Sequence, residues 1–285
     1  TLAGDLDNHD QGLLSAEGAV VIQVRDVNNG AGQIVGHSLL LAGRNLDNSA
    51  GQLSSDTSLN LNLLGTLSNT NQAQLASGAD LLLRAGAVDN RGGTLVSRGL
   101  LDVIAGSFNN SAGGTLAAQQ ALTIALSGAL DNSQDGLIYS LDDQLSLQAG
   151  SINNNAGTLQ SKDDFELEVT GALSNQQGRI SSGEGNVQVQ AASLDNSAAG
   201  MLYGIAGWLR LTVAGLFNNN GGVTQARSLD IQSGDLNNAA GHLSATQGDN
   251  HIVAGAFNNQ GGGLYAGQLL DLTASSFENQ NGQVA

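Results

Sequence analysis

Five carboxylates form the densest group of side chains that could bind a metal ion. Asp142, Asp143, Asp163, Asp164 and Glu184 recur at intervals of about 20 residues, so a repeating fold would stack them. Carboxylate oxygens are the ligands that Ca²⁺ prefers, and stacked strands lie about 4.8 Å apart. A solvated acidic surface has the same pattern and is much commoner. These residues are therefore a weak candidate metal site, and we predict no other metal or cofactor.

Residues suited to enzymatic catalysis are sparse and scattered. The chain has no cysteine, its four histidines lie far apart, and no serine lies in a Gly-x-Ser-x-Gly motif. The glycines at 261–263 are not followed by a helical pattern, which argues against a phosphate-binding loop. We predict no catalytic residue and no enzymatic activity. A β-helical carbohydrate-active enzyme is the less favoured alternative, because it would need clustered carboxylates with basic partners.

A few aromatic residues offer a second kind of site. Tyr139, Tyr203 and Tyr265 each lie between an apolar and a small residue, which predicts that all three face outward in one column, three rungs apart. Trp208, the only tryptophan, follows Tyr203 closely. Exposed aromatic rings on a polar surface contact sugars or proteins. These four residues are candidate surface contacts, although isolated surface tyrosines are also ordinary.

The charge and hydropathy of the chain exclude some partners. The formal net charge is −16, with 9 Lys and Arg against 25 Asp and Glu. Nucleic acid and anionic lipid are poor partners for such a chain, because binding to phosphate scales with the cations that a protein supplies. No apolar run approaches the roughly 20 residues that span a bilayer. We predict neither nucleic-acid binding nor membrane insertion.

A short repeat positions all of these residues. Each copy contains an apolar residue, a polar residue and then Asn, followed in all copies but one by a small turn with a glycine. The mean spacing is about 21 residues, and single steps range from 19 to 23. The column of asparagines comprises Asn8, Asn29, Asn48, Asn69, Asn90, Asn110, Asn132, Asn154, Asn175, Asn196, Asn219, Asn238, Asn259 and Asn279.

Strict alternation of apolar and polar residues within each copy predicts short strands. Leu122-Thr-Ile124-Ala-Leu126 is one example, and its period of two indicates one buried face. A helix would need an i, i+3, i+4, i+7 apolar stripe, which no segment holds for ten residues. Strands this short are stable only when stacked on their copies. The pattern predicts an all-β, right-handed parallel β-helix of about 14 rungs, with residues 1–285 in a single solenoid.

The repeated asparagines should be structural. Alternation points each one inward at a corner, and Asn tolerates the left-handed backbone that a tight corner can require. Stacked amides can donate and accept along a continuous ladder, or each amide can cap only its own turn. Both arrangements remain open at this point, and neither makes these residues ligands.

The repeat unit resembles that of filamentous hemagglutinin, and residues 130–150 and 236–255 show it well. That family comprises very large exoproteins of Gram-negative bacteria that are exported by two-partner secretion, as adhesins or as effectors of contact-dependent growth inhibition. The resemblance covers essentially all 285 residues. It implies secretion through an outer-membrane transporter and display at the cell surface. The family's secretion domain and any toxin-like module are missing, so the chain is expected to be an interior fragment, truncated at both ends.

The resemblance and the repeat together imply a rigid stalk that presents a distal binding region, rather than an enzyme. The transporter would recognise a domain that is absent here, and the receptor on the target cell is unknown. An alternative is that the segment is itself an adhesive surface for host or bacterial receptors. The two differ in where binding activity maps along the parent protein.

Overall fold

The structure is a computed structural model that describes residues 4–285, and it forms two compact units, Thr1–Asp142 and Asp143–Ala285. Every regular element in the described residues is a β-strand, and within each unit the strands pair in parallel. That part of the chain therefore has no helix that could cross a membrane. The predicted all-β class and parallel β-solenoid, with a repeat of about 21 residues, are confirmed in each unit.

The first unit contains sixteen strands within its described residues. They are β1 (Leu6–Asp7), β2 (Leu13–Gln23), β3 (Asp26–Asn28), β4 (Gln33–Gly43), β5 (Asn45–Asp47), β6 (Gln52–Ser55), β7 (Leu59–Leu63), β8 (Thr66–Ser68), β9 (Gln74–Ser77), β10 (Leu81–Asp89), β11 (Thr94–Ser97), β12 (Leu101–Asn109), β13 (Thr115–Ala118), β14 (Leu122–Leu126), β15 (Ala129–Asp131) and β16 (Leu137–Ser140).

The second unit contains thirteen strands, several of them longer because neighbouring segments merge. They are β17 (Leu145–Ala149), β18 (Ser151–Asn153), β19 (Thr158–Ser161), β20 (Phe165–Ser174), β21 (Arg179–Ser182), β22 (Val187–Asp195), β23 (Met201–Asn218), β24 (Val223–Asn237), β25 (His242–Ala245), β26 (Asn250–Asn258), β27 (Gly263–Ala266), β28 (Leu270–Glu278) and β29 (Gln283–Val284).

One repeat consists of three strand segments joined by turns. After Asn48, for example, β6 forms the first segment, β7 the second and β8 the third, and the next ladder residue is Asn69. Each segment pairs with the equivalent segments of the neighbouring repeats in its unit. The segments stack in this way because pieces of three to five residues, such as β6, β7 and β8, are too short to form a stable hairpin sheet alone.

The core consists of apolar columns that run through the stack. In the first unit the second segments align in register, and each contributes a leucine to one column. These leucines are at most 2% exposed and lie at positions 39, 59, 81, 101 and 122. In the second unit Leu147 and Leu167 align and are 0% and 1% exposed. Along each of these strands the residues that alternate with the buried ones face outward, as the period of two predicts. Alternation thus separates core from surface in both units.

In every repeat but one, a glycine three or four residues after the asparagine allows close approach between rungs; Ala73 holds this position after Asn69. Gly93 has no left-handed φ, but a Cβ at Gly93 would lie 1.8 Å from the backbone oxygen of Asn69 and 2.7 Å from Oδ1 of Asn90. Real Cβ atoms do not approach backbone this closely, so the rung below would have to move. The turn glycine therefore sets how tightly rungs pack at the asparagine corner.

Substituting this glycine should destabilise the first unit. We expect Gly93→Ala to lower the free energy of unfolding by about 1–3 kcal/mol, because it overpacks a close backbone contact. Gly18→Ala is the matched control, since a Cβ at Gly18 meets no atom within 4 Å. That variant should change stability by about 0.5 kcal/mol or less in chemical denaturation. Equal effects of the two substitutions would contradict the close-packing role of Gly93.

Candidate functional site

The repeated asparagines form a hydrogen-bonded column inside each unit. Nδ2 of Asn29 donates to Oδ1 of Asn48 at 2.7 Å, and Nδ2 of Asn48 donates to Oδ1 of Asn69 at 2.8 Å. The same bond joins successive asparagines from Asn8 to Asn132 in the first unit and from Asn154 to Asn279 in the second, at 2.6–2.8 Å. In every one of these bonds the donor precedes the acceptor in sequence.

All the ladder amides except that of Asn69 also bond the backbone of their own turn, and several bond a carbonyl of the next rung as well. Nδ2 of Asn90 donates to the carbonyl oxygens of Gly93 at 3.3 Å and of Thr115 at 3.0 Å, besides donating to Oδ1 of Asn110 at 2.7 Å. Asn90 is fully buried, and its backbone N–H donates to the carbonyl of Asn109 at 2.7 Å. Since buried polar groups need partners, this geometry satisfies the amide inside the core. It combines the ladder with the turn cap that we considered separately above.

The left-handed backbone of each corner lies two residues after the asparagine, not at the asparagine. Ala31 has φ 53°, Ala50 has φ 55° and Gly92 has φ 62°, whereas none of the ladder asparagines in the described residues has a positive φ. Tolerance of a left-handed backbone is therefore not what places asparagine at the corner. The amide must point inward to bond its neighbour, so the sharp reversal of the chain falls on the residue two positions later, which is often Ala or Gly.

In most repeats the residue before the ladder asparagine is Asp or Asn, and its side chain closes the same turn from outside. Oδ1 of Asp47 accepts the backbone N–H of Ser49 at 2.9 Å, and Oδ1 of Asp89 accepts that of Arg91 at 3.2 Å. This Asx turn explains why Asp and Asn are common at this position. The repeat motif therefore holds two carboxylate or amide side chains with separate roles, one inside and one outside.

In the second unit the outer side chains also bond to each other, in the opposite direction to the inner ladder. Nδ2 of Asn218 donates to Oδ1 of Asp195 at 3.0 Å, and Nδ2 of Asn237 donates to Oδ1 of Asn218 at 3.0 Å. Burial raises the pKa of Asp195, but hydrogen bonds from Ser197 and Gln176 outweigh burial and hold that pKa below its ordinary value. Asp195 therefore stays ionised as an acceptor at neutral pH.

Two of the acidic residues proposed as a weak metal site accept backbone N–H groups, one in its own turn and one in the next rung. Oδ1 of Asp164 accepts the backbone N–H of Asn186 at 2.8 Å, and Oδ1 of Asp143 accepts that of Gln144 at 2.8 Å. Asp163 and Glu184 are exposed, as is Asp142 at the end of the first unit. Among residues 4–285, no three carboxylate or imidazole side chains lie close enough together to hold a metal ion.

The histidines also lie apart, and most of them lie beside carboxylates. Nδ1 of His251 is 3.0 Å from Oδ2 of Asp271, and a hydrogen bond to Asp7 raises the pKa of His9. His9 and His37 lie in the first unit, whereas His242 and His251 lie in the second. Three of the four histidines therefore lie beside a carboxylate of their own unit.

The aromatic candidates lie on the surface of their units. Tyr139 is half-buried on β16 of the first unit. Tyr203 and Tyr265 are half-buried in the second unit, and successive pairings place them in one register column with Gln225 and Ser244 between them. The predicted spacing of three rungs thus holds for this pair. Trp208 is 37% exposed within β23, where it pairs with Ser228 directly before the buried Leu209.

Sequence reasoning missed the cations that accompany these rings. The guanidinium carbon of Arg179 lies 5.3 Å from the ring centre of Tyr203, and that of Arg210 lies 5.2 Å from the ring centre of Trp208. The imidazole of His242 stacks on Tyr265, with ring centres 6.3 Å apart and 21° between the planes. Such pairs are attractive and hold an exposed ring in a defined position.

Comparison with known proteins identifies the repeat. The haemagglutinin repeat family matches residues 1–71, 41–134, 140–184, 166–204, 184–255 and 245–285. Deoxyribonuclease CdiA of Dickeya dadantii (strain 3937) is 32% identical over 250 residues, covering 81% of this chain and 7% of that protein. The tRNA nuclease CdiA of Yersinia mollaretii is 28% identical over 253 residues, covering 77% and 8%. No solved structure matches the chain.

The matched segments are the stacked repeats described above, and they cover nearly the whole chain. The chain spans less than a tenth of the length of these curated relatives. The resemblance to filamentous hemagglutinin that the asparagine motif implied is confirmed. The chain belongs to the haemagglutinin repeat family.

Proposed function

We propose that this chain is a stalk segment of a secreted, cell-surface protein of a Gram-negative bacterium, of the adhesin or contact-dependent growth inhibition type. The observation that carries the proposal is the inner asparagine ladder, which binds every rung of a unit to the next while satisfying its own buried amides. Such a core supports a rigid spacer of any number of repeats. Residues 1–285 would form one repeat region of a longer protein.

The segment itself would be non-enzymatic. Two relatives are named as nucleases, but the chain covers only 7–8% of their length. We assign any such activity in a parent protein to a region outside these repeats. Export would use an outer-membrane two-partner secretion transporter that recognises another domain, and a distal region would bind the target cell.

A second candidate function is adhesion by the flank of the segment. The observation that favours it is the pairing of Tyr203 and Trp208 with arginines on an otherwise acidic chain. Trp, Tyr and Arg are the residue types that contribute most often to binding hot spots. Binding would then map to these repeats instead of to a distal region.

Removing two whole repeats tests the stalk function. Deleting residues 49–90 from the parent protein joins Asn48 to the residue after Asn90, so the ladder closes again. The first unit should fold with two fewer rungs, about 10 Å shorter, because each rung rises about 4.8 Å. Secretion and binding to target cells should remain nearly intact, as measured by immunoblotting of the exported protein and by cell-binding assays.

Deletion of residues 49–79 is the matched control for this experiment. It removes one and a half repeats, joins Asn48 to Asp80 and places apolar residues out of register. This variant should fail to fold or to accumulate outside the cell. If the in-register deletion is exported and folded but abolishes binding to target cells, the stalk proposal is wrong.

A further inference from the structure

One face of the second unit carries no carboxylate. It is formed by the first strand segments of six successive repeats, at 158–161, 179–182, 201–204, 223–226, 242–245 and 263–266, and we call it the first-segment face. None of these residues is Asp or Glu, although the chain has 25 of them. The outward positions of the second segments, by contrast, include Glu166, Glu168, Asp230 and Asp271.

Two aromatic rings stand on this face in one line. Tyr203 and Tyr265 occupy the same register column, separated by Gln225 and Ser244. Three rungs of about 4.8 Å place the two positions about 14 Å apart. The polar side chains between them offer both donors and acceptors, and none of them is charged.

The absence of a side chain at Gly263 leaves room for the ring of Tyr265. A Cβ on Gly263 would lie 2.5 Å from Cε2 and 2.8 Å from the hydroxyl oxygen of Tyr265, so the ring occupies the space that a side chain at position 263 would fill. The hydroxyl donates to Oε1 of Gln283 at 2.8 Å, and His242 stacks beside the ring. These contacts fix Tyr265 in place, just as Arg179 accompanies Tyr203. The face therefore presents two preorganised aromatic platforms.

The dimensions of the face favour a narrow partner. A segment of four residues is about 13 Å wide, and six rungs span about 24 Å, which gives about 300 Å². A folded protein partner typically needs about 800 Å² on each side. An extended peptide would pair its backbone with a free strand edge, but the inner strands of this face pair on both sides. A long, thin polymer that bonds side chains is the partner that fits.

We propose that the first-segment face binds an uncharged linear glycan, with sugar rings stacked on Tyr203 and Tyr265 and hydroxyls bonded by the side chains between them. The partner is uncharged because the net charge of −16 repels polyanions, and because the face offers no carboxylate to a polycation. This proposal gives a ligand class to the second candidate function and does not depend on the stalk function. Deleting residues 49–90 leaves this face untouched, so the two proposals can fail separately.

Titration calorimetry of the full chain with cellohexaose, chitohexaose, laminarihexaose and maltohexaose tests this proposal. At least one hexasaccharide should bind, and Tyr203→Ala and Tyr265→Ala should each weaken that binding by about tenfold or more. Val253→Ala is the control, because it removes an exposed apolar side chain from a second strand segment, outside the face. Its affinity should stay within about twofold of that of the unaltered chain.

A further variant covers the case in which loss of a tyrosine disturbs folding. Gln225→Glu places a carboxylate between the platforms at an exposed position and should also weaken binding, with an unchanged melting temperature. The proposal is overturned if none of the four hexasaccharides binds at millimolar concentration. It is equally overturned if Gln225→Glu and the tyrosine variants that fold bind as tightly as Val253→Ala.

Discussion

Replacing Leu211 with Asp should lower the free energy of unfolding of the second unit by about 4 kcal/mol or more. Leu211 is 0% exposed and lies in register between Val189 and Ile231. An aspartate there would bury a carboxylate among apolar side chains, with no cation or donor to compensate its lost hydration. Urea unfolding followed by circular dichroism measures the loss as a decrease in the midpoint concentration.

The neighbouring residue provides the control for Leu211→Asp. Thr212 is exposed, and its register partners Gln190 and Gln232 are uncharged, so Thr212→Asp creates no repulsion across the strands. We expect a change of about 0.5 kcal/mol or less. Similar losses for the two variants would mean that the alternation of buried and exposed positions does not hold in this strand.

The second large effect is expected in the asparagine ladder. Asn90→Asp keeps an acceptor for Nδ2 of Asn69 but places a second oxygen against Oδ1 of Asn110 and the carbonyl of Thr115. The amide donor of residue 90 is replaced by an acceptor, and the new carboxylate is buried without a cation. We expect a loss of about 3–5 kcal/mol at pH 7, the usual result of leaving a charge buried without its partner.

This loss should depend on pH with a defined sign. Burial and the surrounding oxygens would raise the folded-state pKa of the new carboxyl above its unfolded value of about 3.9. A raised acid pKa means that the destabilisation is smallest below the unfolded pKa and grows as pH rises through the folded pKa. The difference in unfolding free energy between Asn90→Asp and the unaltered chain should therefore be smaller at pH 4 than at pH 7.

The same chemical change on the surface is the control for the ladder variant. Asn62 is exposed on β7 and lies in register with Ala42 and Arg84, so Asn62→Asp adds a charge in water beside a cation. It should leave the unfolding midpoint nearly unchanged at both pH values. If Asn90→Asp were as stable as Asn62→Asp at pH 7, the ladder would not contribute to stability.

Much of this fold could be predicted because every repeat carries the same pattern of apolar, polar, Asn and Gly residues. The alternation at Leu122, Ile124 and Leu126 predicts a half-buried strand, and the recurring Asn and Gly predict where the chain turns. Since every rung repeats this pattern, an error at one position is corrected by the others. A globular domain of the same length offers no such redundancy.

Two core positions depart from the pattern and could not be predicted from it. Thr224 lies in register between Leu202 and Leu243, is fully buried, and donates from Oγ1 to Oδ1 of Asn219 at 3.1 Å. Asn250 occupies the position of Leu229 in the next rung, and its Oδ1 has no hydrogen-bond partner. In the sequence, a polar residue that interrupts the apolar alternation predicts a loop. In the structure, the strands of the neighbouring rungs pair with this residue and keep it in a strand.

The partners of the aromatic rings depend on register between repeats of unequal length. Arg179 reaches Tyr203 because it pairs with Met201, two residues before Tyr203 on the next rung. That pairing depends on the length of the turns between the two strands. The steps between successive asparagines range from 19 to 23 residues, so counting a fixed number of residues along the chain does not predict which residues pair. The outward direction of a side chain was predictable from alternation, whereas its neighbour on the next rung was not.

The uniform direction of the inner ladder gives each unit an electrical polarity. Amide dipoles aligned head to tail reinforce one another, as peptide dipoles do along an α-helix, and each bond polarises the next. Oxygen atoms face the amino end of the column and N–H groups face the carboxyl end, so its partial charges are opposite in sign to those of a helix. From Asp195 to Asn258 the outer side chains donate in the reverse sense, and their dipoles oppose those of the inner column. Stacking more repeats there lengthens two opposed dipole arrays together, which limits the field that would otherwise accumulate.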